Sequence, residues 1–313
     1  MRIVCFVSKA SGDAAPRLGA LLPDEVHVLD LASVVKTDGS APSLLSWYDL
    51  DGPYLPHALA FVRDLGGDAL AGARRIAPAA VVPLADIRLL APVPRPGKLI
   101  CIGLNYKDHA AESKMTLPPS PVTFSKYPTA VTHPASPVYL PAATHQGDYE
   151  AELAVVIGRL AKHVPRARAY EYVLGYTNLN DVSARDLQFA DKQWQRGKSC
   201  DSFAPMGPAI VTRDEVPDPH ALRIRLRLNG ETMQDSSTAQ LIFGVDQLIA
   251  FLTETVTLEP GDVIATGTPA GVGFARTPPV YLKPGDIMEV EVEGLGVLSN
   301  PVLADTGTGA RAM

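Results

Sequence analysis

The chain has 313 residues, 46% of them hydrophobic and 20% charged, with a formal net charge of −6. That length holds one large domain or two unequal ones, and the composition is that of a globular protein with a full core. An acidic balance without a basic block argues against a nucleic-acid partner, and no apolar run reaches membrane-spanning length.

In chain order, "MRIVCFVSKASGD" opens with only five consecutive apolar residues, too few for a signal-peptide core. The cysteines Cys5, Cys101 and Cys200 are scattered and form no C-x-x-C pair, which points to free thiols in a reducing compartment. The expectation is a cytoplasmic protein. The segments 2–7, 19–22 and 25–31 read as short strands, and 56–67 reads as an Ala-rich helix closed by Gly66 and Gly67. "APVPRPG" (91–97) suits neither helix nor central strand and predicts a boundary: a small N-terminal domain over 1–92 and a main domain over 93–313.

Beyond it, "KLICIGLNY" (98–106) predicts a strand running into a loop. Residues 117–145 carry seven prolines, which predicts an ordered but irregular surface, part of a lid. "EAELAVVIG" (150–158) predicts a buried strand, "RARAYEYVLG" (166–175) a helix ending at Gly175, and "YTNLND" (176–181) a return to the sheet. "RIRLRLNGETMQ" (223–234) alternates and breaks at Asn-Gly, a hairpin whose arginines form a wet strand face. Residues 245–258 have helical spacing. "LEPGDVIATG" and "LKPGDIMEVEVEG" share an L-x-P-G-D turn, with Pro-Gly suited to the centre of a type II turn. The main domain is therefore β-rich with few helices, an α+β layout.

Five places could carry chemistry. Residues two apart on a strand face the same way, so Asp148, Glu150 and Glu152 point together. Such acids either sit on a solvated edge or share a hard divalent cation. Asp181 stands where a strand gives way to a helix, as an N-cap or as a third ligand, with Arg185 and Gln188 along that helix. His109 and Glu112 share a helix face, as a surface ion pair or as a general base with its orienting carboxylate. "RGKSC" (196–200) is no phosphate loop, because Lys192 stands where that motif needs its first glycine; Lys198 is a loop lysine or a cation aimed at substrate oxygens, and Cys200 has no histidine beside it in sequence. "ATGTPAGVG" (265–273) is a tight turn, or a loop whose amides and Thr268 hydroxyl hold a carboxylate. No G-x-S-x-G occurs.

Taken together, "CIGLNYKDHAAE", "DYEAELAVVIG", "GYTNLNDVSARDLQ", "QWQRGKSCDSFAPMGP", "NGE", "TLEPGDVIATGTPAGVG" and "LKPGDIMEVEVEGLG" occur in the order of the fumarylacetoacetate hydrolase family, over about residues 98–302. The chain resembles the bacterial acylpyruvase and 2-hydroxyhepta-2,4-diene-1,7-dioate isomerase-like branch of that family. The resemblance implies a mixed β-sandwich or roll catalytic domain, a small N-terminal α+β domain, a homodimer and one Mg²⁺ or Mn²⁺. It implies Glu150, Glu152 and Asp181 as metal ligands, His109 and Glu112 as a water-activating pair on a lid, and Lys198 facing substrate. Arg185, Gln188 and Thr268 would surround the substrate, with Asp148 a supporting acid of no assigned role.

The leading expectation from this resemblance is a hydrolase that cleaves the C3–C4 bond of an acylpyruvate or other 2,4-dioxo acid through a metal-bound pyruvate enolate. The alternative is a decarboxylase of an oxaloacetate-type acid, or a keto–enol or double-bond isomerase of a catabolic 2-oxo acid, because one enolate platform serves all three reactions. A non-catalytic binding relative is the remote reading. It is disfavoured because the pair, the three acids and the lysine are all present.

Overall fold

A computed structural model describes residues 1–10, 15–35, 43–66 and 68–307. Gly67, residues 11–13 of the opening stretch and residues 308–313 lie outside the described residues. The fold is strand-rich α+β. The N-terminal segment supplies β1 (Arg2–Ser8), β2 (Arg17–Leu21) and β3 (His27–Asp30), then α1 (Leu55–Asp64) and α2 (Ala69–Ile76). It ends with β4 (Val81–Pro83) and β5 (Ile87–Leu90). Gly66, at φ 73°, turns the chain after α1, and Asp68 caps α2 by accepting from the Ala71 amide at 3.0 Å.

The main segment continues with β6 (Leu99–Gly103), α3 (Lys107–Glu112), β7 (Val122–Ser125), β8 (Val131–Thr132) and β9 (Val138–Leu140). The next stretch holds β10 (Gly147–Asp148), β11 (Ala151–Ile157), β12 (Val173–Asn180), β13 (Ser183–Ala184), α4 (Arg185–Ala190) and α5 (Gln195–Lys198). The last holds β14 (Ala204–Thr212), β15 (Arg223–Leu228), β16 (Glu231–Ser237), α6 (Val245–Thr255), β17 (Val263–Ala265), β18 (Ile287–Val292) and β19 (Val297–Ala304).

A twelve-stranded sheet runs β4-β3-β2-β1-β14-β12-β11-β17-β6-β7, with β5 on β1 and β8 on β14. Its N-terminal strands join the rest through the antiparallel β1–β14 pair, in which Ile3 faces Ile210. A five-stranded sheet, β16-β15-β18-β19-β9, packs on its centre. The strand β11 is buried on both faces, which is why Leu153–Ile157 is an unbroken apolar run. Leu153, Val155 and Ile157 enter the core shared with the second sheet and α6, whereas Ala154 and Val156 enter the core shared with the N-terminal segment. Glu152, two residues before Ala154, belongs to the N-terminal side.

Two expectations give way. Residues 166–175 are not one helix: a 3₁₀ turn covers Arg166–Tyr172, and β12 begins at Val173. Gly175 is not a helix stop but a close approach, since a Cβ there would lie 2.2 Å from the Val211 carbonyl oxygen of β14. The proline-rich 117–145 stretch is less irregular than its composition suggests. Its strands sit where proline is tolerated, β7 at a sheet edge and β8 and β9 in short parallel pairs. The turns behave as their sequences predict. Asn229 and Gly230 have φ 53° and 82°, as a primed hairpin turn requires. Gly261 and Gly285 have φ 86° and 99° at equivalent L-x-P-G-D positions. Arg223 pairs with Asp235, and Arg227 with Glu289 and Glu291, on the wet face of the second sheet.

Candidate active site

Register creates the centre of the site. Antiparallel pairing sets Ala151 of β11 opposite Asn180 of β12, and the Asp181 amide donates to the Glu150 carbonyl at 2.8 Å. The start of one strand and the end of the other therefore lie side by side. Glu150, Glu152 and Asp181 are all buried, with one ligand oxygen from each within 4.8 Å of the others. Asp181 does not cap a helix, because the residue at the N-cap of α4 is Ala184. Asp148 does not join the three acids. It lies on a separate short strand and accepts from the amides of Gly273 (2.7 Å) and Phe274 (3.1 Å) and from Arg185 Nε (2.9 Å).

Cations reach this cluster from α4, α5 and the end of β7. Arg185 pairs with Asp148 and, at 2.6 Å, with Glu150 Oε1, and donates to Gln188 Oε1 at 3.1 Å. Its guanidinium lies 4.5 Å from the centre of the Phe274 ring. Lys198 Nζ bridges Glu150 Oε2 (2.7 Å) and Asp181 Oδ2 (2.8 Å). Gly197 in "GKS" has a packing role, since a Cβ there would lie 2.6 Å from the Gln188 amide nitrogen of α4. Lys126, just after β7, is equally buried and donates to Asp181 Oδ1. Nothing in the sequence marked it: a lone lysine in a proline-rich stretch reads as surface, and only the tertiary fold turns it inward.

Burial opposes ionisation of Glu150, but Lys198 and Arg185 outweigh it and hold that carboxyl below the usual range, at about 2. Glu152 moves the other way. Burial, with the charges of Asp181 and Glu150, pushes it well above the usual range, against the opposing effect of the Gly267 amide and Lys198. With Asp148, four buried acids face the three buried cations Arg185, Lys198 and Lys126, and among the described residues Glu152 makes no side-chain ion pair, a negative surplus that fits a divalent ion with oxygen ligands. The donor set suits such an ion, whose identity the oxygens alone do not fix.

Above the acids, α3 carries His109 and Glu112, with His109 Nδ1 3.4 Å from Glu112 Oε2. The Glu112 carboxylate also accepts from the Gly271 amide at 3.0 Å. Burial raises its pKa, but His109 and that amide bring it below the usual range. Thus the 265–274 loop does hold carboxylates by its amides, and they are the protein's own: Glu152 at Gly267, Glu112 at Gly271 and Asp148 at Gly273 and Phe274. Thr268 accepts from Gln234 Nε2 at 2.8 Å, and Gln234 in turn accepts from the Ala151 amide at 2.9 Å. Cys200 takes no part, and burial raises its thiol pKa.

A strand-rich α+β fold that gathers three buried acids, a lysine and a His–Glu pair at one strand mouth defines an acid-centred enzyme class. Residues 98–303 match the model of the fumarylacetoacetate hydrolase C-terminal domain. The chain belongs to the fumarylacetoacetate hydrolase family and is an enzyme of that family. It is 41% identical over 307 residues to the mitochondrial oxaloacetate tautomerase fahd2 of Xenopus laevis, covering 97% of this chain and 90% of that protein. It is 46% identical to the mitochondrial oxaloacetate tautomerase FAHD2A of Homo sapiens, over 80% of this chain and 81% of that protein. The structure of 5-carboxymethyl-2-hydroxymuconate delta-isomerase from Mycobacterium smegmatis superposes with a TM-score of 0.74 at 35% identity, over 97% of this chain and 100% of that one. Among the described residues, no helix is long and apolar enough to cross a membrane.

Proposed function

We propose that this protein is a metal-dependent tautomerase of an oxaloacetate-type 2-oxo acid, exchanging a proton between C3 and the C2 oxygen. One observation carries the reading: the three acids and the His109–Glu112 pair stand in a chain 41% identical, nearly end to end, to a protein named as an oxaloacetate tautomerase. This favours proton transfer over C–C hydrolysis, the leading expectation from sequence. Tautomerisation needs a base at C3 and stabilisation of an enolate, but no water attacking C4.

In this reading Glu150, Glu152 and Asp181 hold Mg²⁺ or Mn²⁺. Bound there, the ion supplies Lewis acidity toward the 2-oxo oxygen. His109 takes and returns the C3 proton, and Glu112 fixes its ring. Lys198 places a positive charge where the enolate oxygen gains negative charge. Arg185, locked between Asp148 and Glu150, holds the acid cluster in place, and Gln188 and Thr268 border the substrate. A homodimer in a reducing compartment, cytoplasmic or mitochondrial, completes the proposal. Cys5, Cys101 and Cys200 are free, which agrees with such a compartment.

The test follows the ultraviolet absorbance of enol-oxaloacetate with Mg²⁺ present, beside pyruvate release from acetylpyruvate. Faster ketonisation without acetylpyruvate cleavage supports the tautomerase. Cleavage without faster ketonisation returns the hydrolase reading.

A further inference from the structure

Each acid of the triad has one oxygen already taken by a donor of the protein. Asp181 Oδ1 accepts from Lys126 Nζ, Glu150 Oε1 pairs with Arg185 at 2.6 Å, and Glu152 Oε2 accepts from the Gly267 amide at 2.8 Å. The Lys126 anchor is rigid. Its backbone amide is tied to the Leu99 carbonyl at 3.1 Å, and its ammonium also donates to the Val182 carbonyl at 2.9 Å. Asp181 itself is pinned at the backbone, its amide on Glu150 and its carbonyl accepting from Ser183 Oγ at 2.9 Å. The remaining oxygens of Glu150 and Asp181, Oε2 and Oδ2, face a common point, since Lys198 Nζ reaches both.

We propose that Lys126 is a positioning residue: by holding Asp181 Oδ1 it limits Asp181 to one-oxygen coordination and so tilts the site toward small octahedral cations and away from Ca²⁺. The inference rests on the metal-site reading above. Ca²⁺ gathers six to eight oxygens and commonly takes carboxylates in two-oxygen fashion, whereas Mg²⁺ needs a tight octahedron and keeps several waters. With an ion at the point that Lys198 Nζ occupies between Glu150 Oε2 and Asp181 Oδ2, the three carboxylates offer it one oxygen each, which suits the second ion and undersupplies the first. Freed from Lys126, Asp181 could rotate both oxygens toward the ion.

The test is calorimetric titration of Mg²⁺, Mn²⁺ and Ca²⁺ into the metal-stripped full chain, for wild type and Lys126→Met. Methionine keeps the length and removes the charge and the donor. The wild type should bind Mg²⁺ at least as tightly as Ca²⁺, and the variant should shift the Ca²⁺/Mg²⁺ affinity ratio about tenfold toward Ca²⁺. A purely structural role would weaken both ions alike and leave the ratio unchanged, which would overturn the proposal. Lys126→Gln, which keeps a donor on a shorter arm, covers the case in which methionine prevents folding and should shift the ratio in the same direction. A wild type that prefers Ca²⁺ overturns the inference whatever the variants do. A wild type that binds none of the three ions refutes the metal-site reading instead.

Discussion

The charges of single residues give the sharpest tests. Burial, with the charges of Asp181 and Glu150, pushes the pKa of Glu152 well above the usual range. Replacing it with glutamine removes the repulsion and keeps the shape. The metal-free Glu152→Gln protein should therefore melt higher than the metal-free wild type, by about 1.5 °C for each kcal/mol relieved. The same change should abolish the rise in melting temperature that Mg²⁺ gives the wild type. Thermal melts with EDTA and with Mg²⁺ check both; a wild-type Mg²⁺ response in the variant would remove Glu152 from the ligand set. His109→Ala should slow deuterium exchange at C3 of a bound 2-oxo acid by about 10²–10⁴ and leave Mg²⁺ affinity unchanged. Glu112→Gln should have a smaller effect, since it only orients the ring. Retained C3 exchange alongside lost acetylpyruvate cleavage in His109→Ala would mean that the pair acts on water, as a hydrolase requires. At this scale the sequence exposed the pair, the three acids and Lys198, because each lies in a short run of suggestive spacing. It hid Lys126 and Gln234, which reach the site only through contacts 55 and 83 residues away in sequence.

Elements form where pattern and turn chemistry agree. The alternating hairpin, the Pro-Gly turns and α6 were legible for that reason. The 166–175 stretch misled because its alanine and arginine content favours helix, while tertiary pairing, with β11 at Val173 and with β14 from Gly175, draws the chain into a strand. The strands in the proline-rich stretch were hidden because prolines flank them, and edge positions need few backbone donors. That stretch follows α3, whose helix is a single short span tied down by side chains. Asp108 accepts from Ser236 Oγ, and Glu112 from Gly271. Six residues do not hold a helix unaided. Residues 105–120 should therefore exchange amide hydrogens faster without ligand than with oxalate, which resembles the pyruvate enolate in shape and charge. Hydrogen-exchange mass spectrometry checks this, and equal protection in both states would count against closure of this segment over the site.

At the scale of the whole molecule, the joint between the N-terminal and main segments carries its own titration. His133 Nδ1 accepts from the Ala91 amide at 3.0 Å, and its carbonyl accepts from Asn300 Nδ2 at 2.8 Å, so one residue links the 91–97 connector to β19. Burial, with Arg88 nearby, lowers its pKa from 6.5 to about 4. A base whose folded pKa is depressed stays neutral in the native state while the unfolded chain takes up a proton. Between pH 6.5 and 4 the unfolded state therefore binds more protons, and stability falls as pH drops through that window. Above pH 6.5 neither state is protonated at this ring, and the contribution is flat. The shift corresponds to at most about 3 kcal/mol, which partial exposure reduces to about 1–2 kcal/mol. Asparagine places an oxygen near the Nδ1 position and does not titrate. His133→Asn should match wild type in urea melts at pH 7.5 and lose less stability by pH 5. Taking the difference between the two proteins cancels the acids that titrate in the same range. Parallel losses in both would show that protonation of His133 is not what weakens this joint.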